Sequence, residues 1–283
     1  MIKKIIALSD VHFRNVRRLN ESTEFINNVT SAIKSEIKGF KKDEVRIVIA
    51  GDIFHNKLDI SCEAYMLAAK MLTVFDGICK TYIIAGNHDL NMSNLTRLDP
   101  ITTVFNMCKF KNTIYLDSEC DYTSTCLVDD NVVWCLYSTF NDLSRPDIES
   151  FRLEHTDKAF IGLYHGMVRS CKTDVGFVSM SGAEPSLFEG LDLCIAGDIH
   201  KHQLIKMNGV PFVYCGSVMQ QNFGENVSGH GIVSFDITPD VENGEYLTDF
   251  KLIEIPNPNY GFYNFSINSK DDLDNDLEEL TNG

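Results

Sequence analysis

Long apolar runs are missing from this chain. The stretch Ile5-Ile6-Ala7-Leu8 stands near the N-terminus but gives way at once to Ser9, Asp10 and His12. It is too short for the h-region of a signal peptide or for a membrane span, so a soluble, cytoplasmic protein is expected. Positive charge is scarce too. Lys and Arg number 25 against 40 Asp and Glu, for a net charge of −15. A protein that grips nucleic acid through its overall field needs the reverse balance. Part of the excess is local, with Asp271, Asp272, Asp274, Asp276, Glu278 and Glu279 crowding the C-terminus. Metal-binding carboxylates would account for another part, since such a cluster is acidic until the metal is counted. None of the nine cysteines forms a C-x-x-C pair. The odd count, with Cys194 and Cys215 inside apolar runs, argues against a zinc site or disulfide frame. Small buried side chains in a reducing compartment are expected instead. Internal repeats and Pro/Ser-rich linkers are absent, and so is low-complexity sequence apart from the acidic end.

What is present is enough for one large domain with a full core, since 44% of the 283 residues are hydrophobic. A punctuation recurs five times, in which a short apolar run stops at a polar cluster. Ile5 to Leu8 precedes Ser9-Asp10-Val11-His12, Val45 to Ala50 precedes Gly51-Asp52, and Tyr82 to Ala85 precedes Gly86-Asn87-His88-Asp89. Phe160 to Tyr164 precedes His165-Gly166, and Leu191 to Ala196 precedes Gly197-Asp198-Ile199-His200. Such runs read as buried strands. Helical spacing lies between the early ones, over Glu24 to Ile37 and over Ser61 to Ile78, with Asp59 or Ser61 as N-cap. Strand–helix–strand alternation implies a parallel or mixed sheet covered by helices, with ligands gathering beyond the carboxyl ends of the strands. The polar clusters then line one rim. After Gly190, Asp192 to Ala196, Pro211 to Tyr214, Gly231 to Phe235 and Asp249 to Ile255 read as successive strands. Ser269 with Asp272 resembles a helix-opening capping box, and Leu273, Leu277 and Leu280 share a helical face. The expected division is a catalytic domain over 1–245 and, over 246–283, the beginning of a small C-terminal cap with an acidic end.

Asp10, His12, Asp52, Asn87, His165, Asp198 and His200 make a mixed oxygen and nitrogen set without a thiolate. That chemistry suits Mn²⁺, Fe²⁺ or Zn²⁺, and the share of oxygen donors favours Mn²⁺. Seven ligands exceed the need of one ion and fit two, with one carboxylate bridging. Paired ions about 3.5–4 Å apart serve in-line displacement at phosphorus.

The ordered series D-x-H, G-D, G-N-H-D, H-G and G-x-x-H resembles the signature of the calcineurin-like metallophosphoesterases. Phe54-His55 after the second motif is similar to the DNA-repair nuclease branch that includes the SbcD subunit. Cys215-Gly216-Ser217 through Phe223-Gly224-Glu225, followed by Gly229-His230-Gly231, looks like the stretch found in phage-encoded members. The resemblance spans roughly residues 3–265. It implies an α/β fold, a four-layer αββα sandwich of two mixed sheets. It also implies Mn²⁺-dependent exonuclease and endonuclease activity on DNA, a homodimer and an SbcC-like ATPase partner in a recombination and repair complex, with no membrane. Carried over residue by residue, Asp10, His12, Asp52 and His200 hold one ion, while Asp52, Asn87, His165 and Asp198 hold the other. His88 is the general acid that protonates the leaving 3′-oxygen, or else steadies the transition state, Asp89 braces its loop, and Arg14 and His55 contact the scissile or neighbouring phosphate. Most of the wider family has G-H-x-H at the last motif, so Asp198 implies a harder, more anionic second site.

Other readings attach to the same residues. Gly-Asp after a strand is a common turn, and the ordered set of five motifs carries the argument where a single one would not. His155, His202 and His230 fall off the motifs and read as surface or supporting residues. Arg14, Arg17, Arg18, Arg169, Lys172 and Lys201 suggest a local positive funnel for a phosphodiester backbone, or else solvated helix faces. A phosphoesterase for small phosphodiesters, nucleotides or phosphoproteins would share every ligand. A non-catalytic scaffold of this fold is the third alternative, against which the retained His88 speaks.

Overall fold

The computed structural model describes residues 1–173, 175–240 and 245–263. In chain order the elements are β1 (Lys4–Leu8), α1 (Leu19–Glu36), β2 (Val45–Ala50), α2 (Cys62–Ile78), β3 (Lys80–Ile84), α3 (Pro100–Met107) and β4 (Thr113–Tyr115). There follow α4 (Leu116–Glu119), β5 (Thr125–Asp129), β6 (Val132–Leu136), α5 (Ile148–Glu154), β7 (Ala159–His165), β8 (Leu193–Gly197), β9 (Gln203–Met207), β10 (Val210–Tyr214), β11 (Gly231–Asp240) and β12 (Glu245–Glu254). They form two six-stranded mixed sheets, ordered β12-β11-β1-β2-β3-β4 and β5-β6-β7-β8-β10-β9. The strands β1 to β4 run parallel in the first sheet, and β6, β7, β8 and β10 run parallel in the second. This is the expected α/β sandwich.

Burial on both faces explains why the central strands are continuously apolar. One face of β1 (Ile5, Ala7) and β2 (Val48, Ala50) meets Trp134, Ile161, Leu163 and Ile195 of the opposite sheet. The other face (Ile6, Leu8, Ile47, Ile49) meets Phe25 and Val29 of α1 and Leu67, Met71 and Phe75 of α2. The outer face of the second sheet is covered by Ile148 and Phe188 among others. Local chemistry sets the helix starts. Ser61 caps α2 by accepting from the Ala64 N–H, and Asp99 caps α3, whose first residue is Pro100. All nine cysteines are free, and six of them are buried.

The boundary expected after residue 245 falls within the β11–β12 hairpin, and β12 continues the first sheet to Glu254. Ser269, Asp272, Leu273, Leu277 and Leu280, with the acidic run, lie outside the described residues. No helix among the described residues is long and apolar enough to cross a membrane.

At the edge remote from the motif loops, one ion cluster ties the sheets together. Asp129 of β5 accepts from Arg46 Nε (2.6 Å) and Nη2 (3.0 Å) of β2, from Lys80 Nζ (3.1 Å) and from the Tyr82 hydroxyl (2.9 Å) of β3. Burial disfavours the Asp129 charge, but Arg46, Tyr82 and Lys80 outweigh it and bring its pKa down to about 2. A carboxyl depressed from its ordinary value stabilises the fold above that value and loses the contribution as pH falls towards the folded pKa. Asp129→Ala is therefore expected to destabilise the fold by roughly 2–4 kcal/mol, because it strands the nearly buried Arg46. In denaturant titrations the difference from the parent chain should persist at neutral pH and shrink between about pH 4 and pH 2. A pH-independent difference would contradict this reading.

Candidate metal centre and cleft

Each motif sits at the carboxyl end of a parallel strand, and the two sheets bring these ends to one seam. Asp10 follows β1, Asp52 follows β2, Asn87 and His88 follow β3, His165 ends β7, and Asp198 and His200 follow β8. Backbone links close the seam. Asp10 N–H donates to the Gly51 carbonyl (3.1 Å), His12 N–H to the Asp52 carbonyl (3.0 Å) and Asp198 N–H to both Asp10 oxygens (3.2 and 3.3 Å). The approach is close enough to require glycine. A Cβ on Gly51 would lie 2.3 Å from His165 Nδ1, and one on Gly197 would lie 2.2 Å from the Ala50 carbonyl oxygen. Asp10, His12, Asp52 and Asp198 all have positive φ (53, 51, 56 and 87°), a conformation that persists only where surroundings enforce it.

The side chains converge in overlapping groups. Asp10, His12 and His200 form one group with ligand atoms within 4.8 Å of one another, and Asp10, Asp52 and His165 form a second. His12 Nε2 and His200 Nε2 are 3.1 Å apart, and His12 Nε2 is 3.5 Å from Asp52 Oδ2. His165 Nε2 is 3.3 Å from Asp52 Oδ1 and 4.0 Å from Asp198 Oδ1. The Asp198 carboxylate is partly exposed at 22%, as is the His200 ring at 26%. His55 and His88 form a third group with His12, the His12 and His88 rings meeting edge to face at 4.9 Å. Around them lies a cleft of about 280 Å³, lined also by Arg14, Gln221 and Asn222.

Burial and mutual charge shift the titration of these groups in opposite directions. Burial pushes the Asp10 carboxyl up to about 6, against the pull of His165 and His200. Burial also opposes the Asp52 charge, yet His165 holds this carboxyl well below the usual range. His165 is in turn raised by Asp52 despite its own burial. Burial lowers His12 far below its ordinary value and brings His55 down to about 4. Five polar atoms here are buried without a hydrogen-bond partner: Asn87 Oδ1, His165 Nε2, His12 Nδ1, His55 Nδ1 and Arg14 Nε. Such orphans are rare unless something else occupies the site. His165 Nδ1 faces the Ala50 carbonyl at 2.7 Å and donates to it, so Nε2 is the nitrogen turned towards Asp52, and it would ligate a metal once its proton is displaced. A buried oxygen–nitrogen donor set with orphaned acceptors fits divalent metal.

Asp89 does not face the cleft. Its oxygens accept from the Ile53, Phe54 and Gly86 N–H groups, so it braces two motif loops, as expected. Arg14 Nη2 donates to the Gln221 carbonyl at 3.0 Å. Of the suggested positive funnel, Arg18 is paired with Glu21 and Arg169 with Glu184. His230 is buried against Ser217, while His202 Nδ1 faces the Tyr214 carbonyl. Sequence reasoning missed Glu225. Its Oε1 accepts from His200 Nδ1 (2.7 Å) and Asn222 Nδ2 (2.7 Å), and its Oε2 accepts from the Gln221 N–H (2.7 Å). It thereby fixes the His200 tautomer and turns Nε2 towards His12. Despite the penalty of burial, His200 is raised to about 9, mainly through Glu225. No strand end or histidine beside it signals this role, because the contact spans 25 residues.

The sequence profile of the calcineurin-like phosphoesterases matches residues 3–202. The chain belongs to this family. The family is one of metal-dependent phosphoesterases with a binuclear metal site, and the candidate ligand groups here fit such a site. The chain is 33% identical over 269 residues to uncharacterized protein R555 of Acanthamoeba polyphaga mimivirus, covering 92% of the chain but 18% of that protein. It is 26% identical to protein 244L of invertebrate iridescent virus 6, provisionally named a phosphoesterase, covering 89% of the chain and 83% of that protein. Among solved structures, a protein from Staphylococcus aureus described provisionally as a 5′-nucleotidase superposes with a TM-score of 0.51 at 13% identity, covering 98% of this chain and 58% of that one. That likeness shows the shared fold.

Glu225→Ala should weaken binding of Mn²⁺ to the phosphoesterase about 10–100-fold in calorimetric titration, the usual effect of losing a carboxylate that orients a ligating histidine. Glu225→Gln should retain most of the affinity, because an amide oxygen still accepts from Nδ1. Equal affinity in the parent and Glu225→Ala chains would contradict the role.

Proposed function

We propose that this chain is a Mn²⁺-dependent DNA nuclease of the SbcD type, with exonuclease and endonuclease character. In this reading it works as a homodimer with an SbcC-like ATPase in DNA repair and recombination, as in the complexes that the motif series resembles. The observation that carries the reading is a single cleft bounded both by the carboxylate–histidine cluster and by Arg14 and His55. The cluster answers a scissile phosphate, and a guanidinium beside it suits the next phosphate of a backbone. The net charge of −15 supports a division of labour in which the partner supplies much of the DNA grip.

Asp10, His12, Asp52 and His200 would hold one ion, and Asp52, Asn87, His165 and Asp198 the other. When bound, the ions lower the pKa of a nucleophilic water and neutralise charge at the phosphoryl oxygens. The remaining work falls to the chain's own groups. His88 Nδ1 lies 2.6 Å from the His55 carbonyl and donates to it. In the imidazolium form its Nε2–H would give a proton to the departing 3′-oxygen, leaving the neutral Nδ1–H tautomer that this carbonyl holds. The His88 N–H donates to Asp52 Oδ1 at 2.8 Å, so the acid is positioned by the carboxylate that would belong to both ligand sets. Asp89 holds the His88 loop to the Gly51-Asp52 turn.

The cleft volume of about 280 Å³ favours a second reading. It is near the lower end for small-molecule sites, and a phosphoesterase for small phosphodiesters or nucleotides would use the same ligands. Cleavage of end-labelled linear DNA, single- and double-stranded, separates the two when run beside bis-p-nitrophenyl phosphate. The nuclease reading predicts Mn²⁺-dependent DNA degradation that Asp52→Ala abolishes. Hydrolysis of the small ester with DNA untouched would move the assignment to the second reading. His88→Ala should keep both metals and lose about 10²–10⁴-fold in turnover. Near-normal cleavage by that variant would remove His88 from the proton chemistry.

A further inference from the structure

We infer that the cavity on the far side of His200 is a subsite for the nucleoside that stays on phosphorus, and that Gly224 and Val175 set what it admits. This rests on the nuclease reading and deepens it. The departing strand lies on the His88 side, and the group on the other ester oxygen lies across Asp198 and His200 from it.

A cavity of about 250 Å³ adjoins the metal cleft. The two share Asp198, His200 and Asn222 as lining residues, so they meet at the candidate metal centre. The cleft continues to Arg14, His55 and His88, and the second cavity to Thr173, Val175, Ile199, Gly224 and Glu225. Each by itself is smaller than the usual small-molecule site of about 300–1,000 Å³. A substrate with one group on either side of the phosphate uses both. In-line displacement makes the same demand, since one oxygen departs opposite the attacking water while the other ester oxygen remains to the side. A phosphomonoester has no group there and leaves the second cavity unfilled.

The two cavities differ in charge. Arg14 and His55 line the first. Among the described residues no Lys or Arg lines the second, and its Glu225 is committed to His200, Asn222 and the Gln221 N–H. A further phosphate would meet a carboxylate there with no guanidinium or amine to offset it. An uncharged sugar and base instead gains apolar contact with Val175 and Ile199 and hydrogen-bonding partners in Thr173 and Asn222.

The walls are braced. Gln203 Oε1 accepts from the Lys172 N–H at 2.8 Å, and its Nε2 donates to the Lys172 carbonyl at 2.7 Å and the Lys201 carbonyl at 3.2 Å. The loop after β7, which carries Thr173, is thereby tied to the loop after β8, which carries His200. In the facing loop the Gly224 N–H donates to Asn222 Oδ1 at 2.8 Å. Gly224 has no positive φ, so its backbone does not demand glycine. What glycine leaves there is space. A Cβ would stand 3.0 Å from Asn222 Oδ1 and 3.4 Å from Val175 Cγ1, between two of the lining residues. A longer side chain at this position would enter the cavity.

The test uses two diesters with the same departing p-nitrophenolate, thymidine 5′-(p-nitrophenyl phosphate) and methyl p-nitrophenyl phosphate. Their kcat/KM values are compared on the Mn²⁺-loaded protein, alongside cleavage of an oligothymidylate. The chemistry at the metals is common to both esters, so the ratio reads the subsite. The parent chain should prefer the thymidine ester by at least about tenfold, the scale on which a pocket separates a filled contact from an unfilled one. Gly224→Leu should bring the ratio near one. Val175→Ala should lower it as well, at a side chain that is 75% exposed and so takes no part in core packing. Calorimetric binding of thymidine 5′-phosphate and methyl phosphate should give the same order of preference and the same response to the variants. A parent ratio near one, or a ratio that neither variant lowers, overturns the subsite, and cleavage of the oligothymidylate then leaves the nuclease reading standing. A preference that Gly224→Leu removes, without any cleavage of the oligothymidylate, overturns the nuclease reading and keeps the subsite for small nucleotide diesters.

Discussion

Four carboxylates, those of Asp10, Asp52, Asp89 and Asp117, are at most 2% exposed at the seam between the sheets. So much buried negative charge is tolerated only where each group has partners. Two of the four are satisfied by the protein itself. Asp89 takes three backbone N–H groups, and Asp117 takes the Ala85 N–H and the Ser138 hydroxyl. These hold the loops after β2 and β3 in place. Asp10 and Asp52 turn oxygens to imidazoles instead, Asp10 at 3.8 Å from His200 Nε2 and Asp52 at 3.3 Å from His165 Nε2. The division between bracing and facing carboxylates is what makes the rim a metal site.

The same constraint reaches into the backbone. For two sheets to share ligands across their ends, the strand termini must approach to backbone contact. Gly51 and Gly197 are the positions where a side chain would occupy His165 or the Ala50 carbonyl. Left-handed conformations at Asp10, His12, Asp52 and Asp198 cost on the order of 1–3 kcal/mol each. The surrounding continuous core and the Arg46–Asp129 clasp at the far edge supply the rigidity that maintains them. A loop-built site would relax out of this geometry. Glu225 extends the same ordering outward, since one carboxylate orients His200 and fixes the loop that walls the cleft.

The punctuated strands were legible because their residues are buried on both faces and end where the chemistry begins. The run Val45 to Ala50 coincides with β2, and Ser61 to Ile78 differs from α2 only by its capping residue. The helix read from Glu24 in fact begins at Leu19, where Arg18 and Glu21 pair across its first turn. The middle of the chain was not legible in the same way. The strands β4, β5 and β9 lie at sheet edges, where one face is solvated and the apolar signal is diluted. The strand β6 is apolar and central, but it ends without a ligand motif. At the site, the ligand types and their order could be read from sequence, because each is adjacent to a strand end. Glu225 could not, because its partner is remote in the chain. Nor could the hydrogen bonds that the Asp198 N–H donates to Asp10, which depend on two strand ends meeting across the seam.

The central claim is that the buried carboxylates and imidazoles form a two-ion site. Its most direct test is the metal content of the purified chain, stripped with chelator, equilibrated with Mn²⁺ and freed of excess ion by gel filtration. The account predicts two tightly held ions per chain, falling by at least one in Asn87→Ala, whose orphaned buried oxygen faces no other partner. A parent chain that retains one ion or none would contradict it.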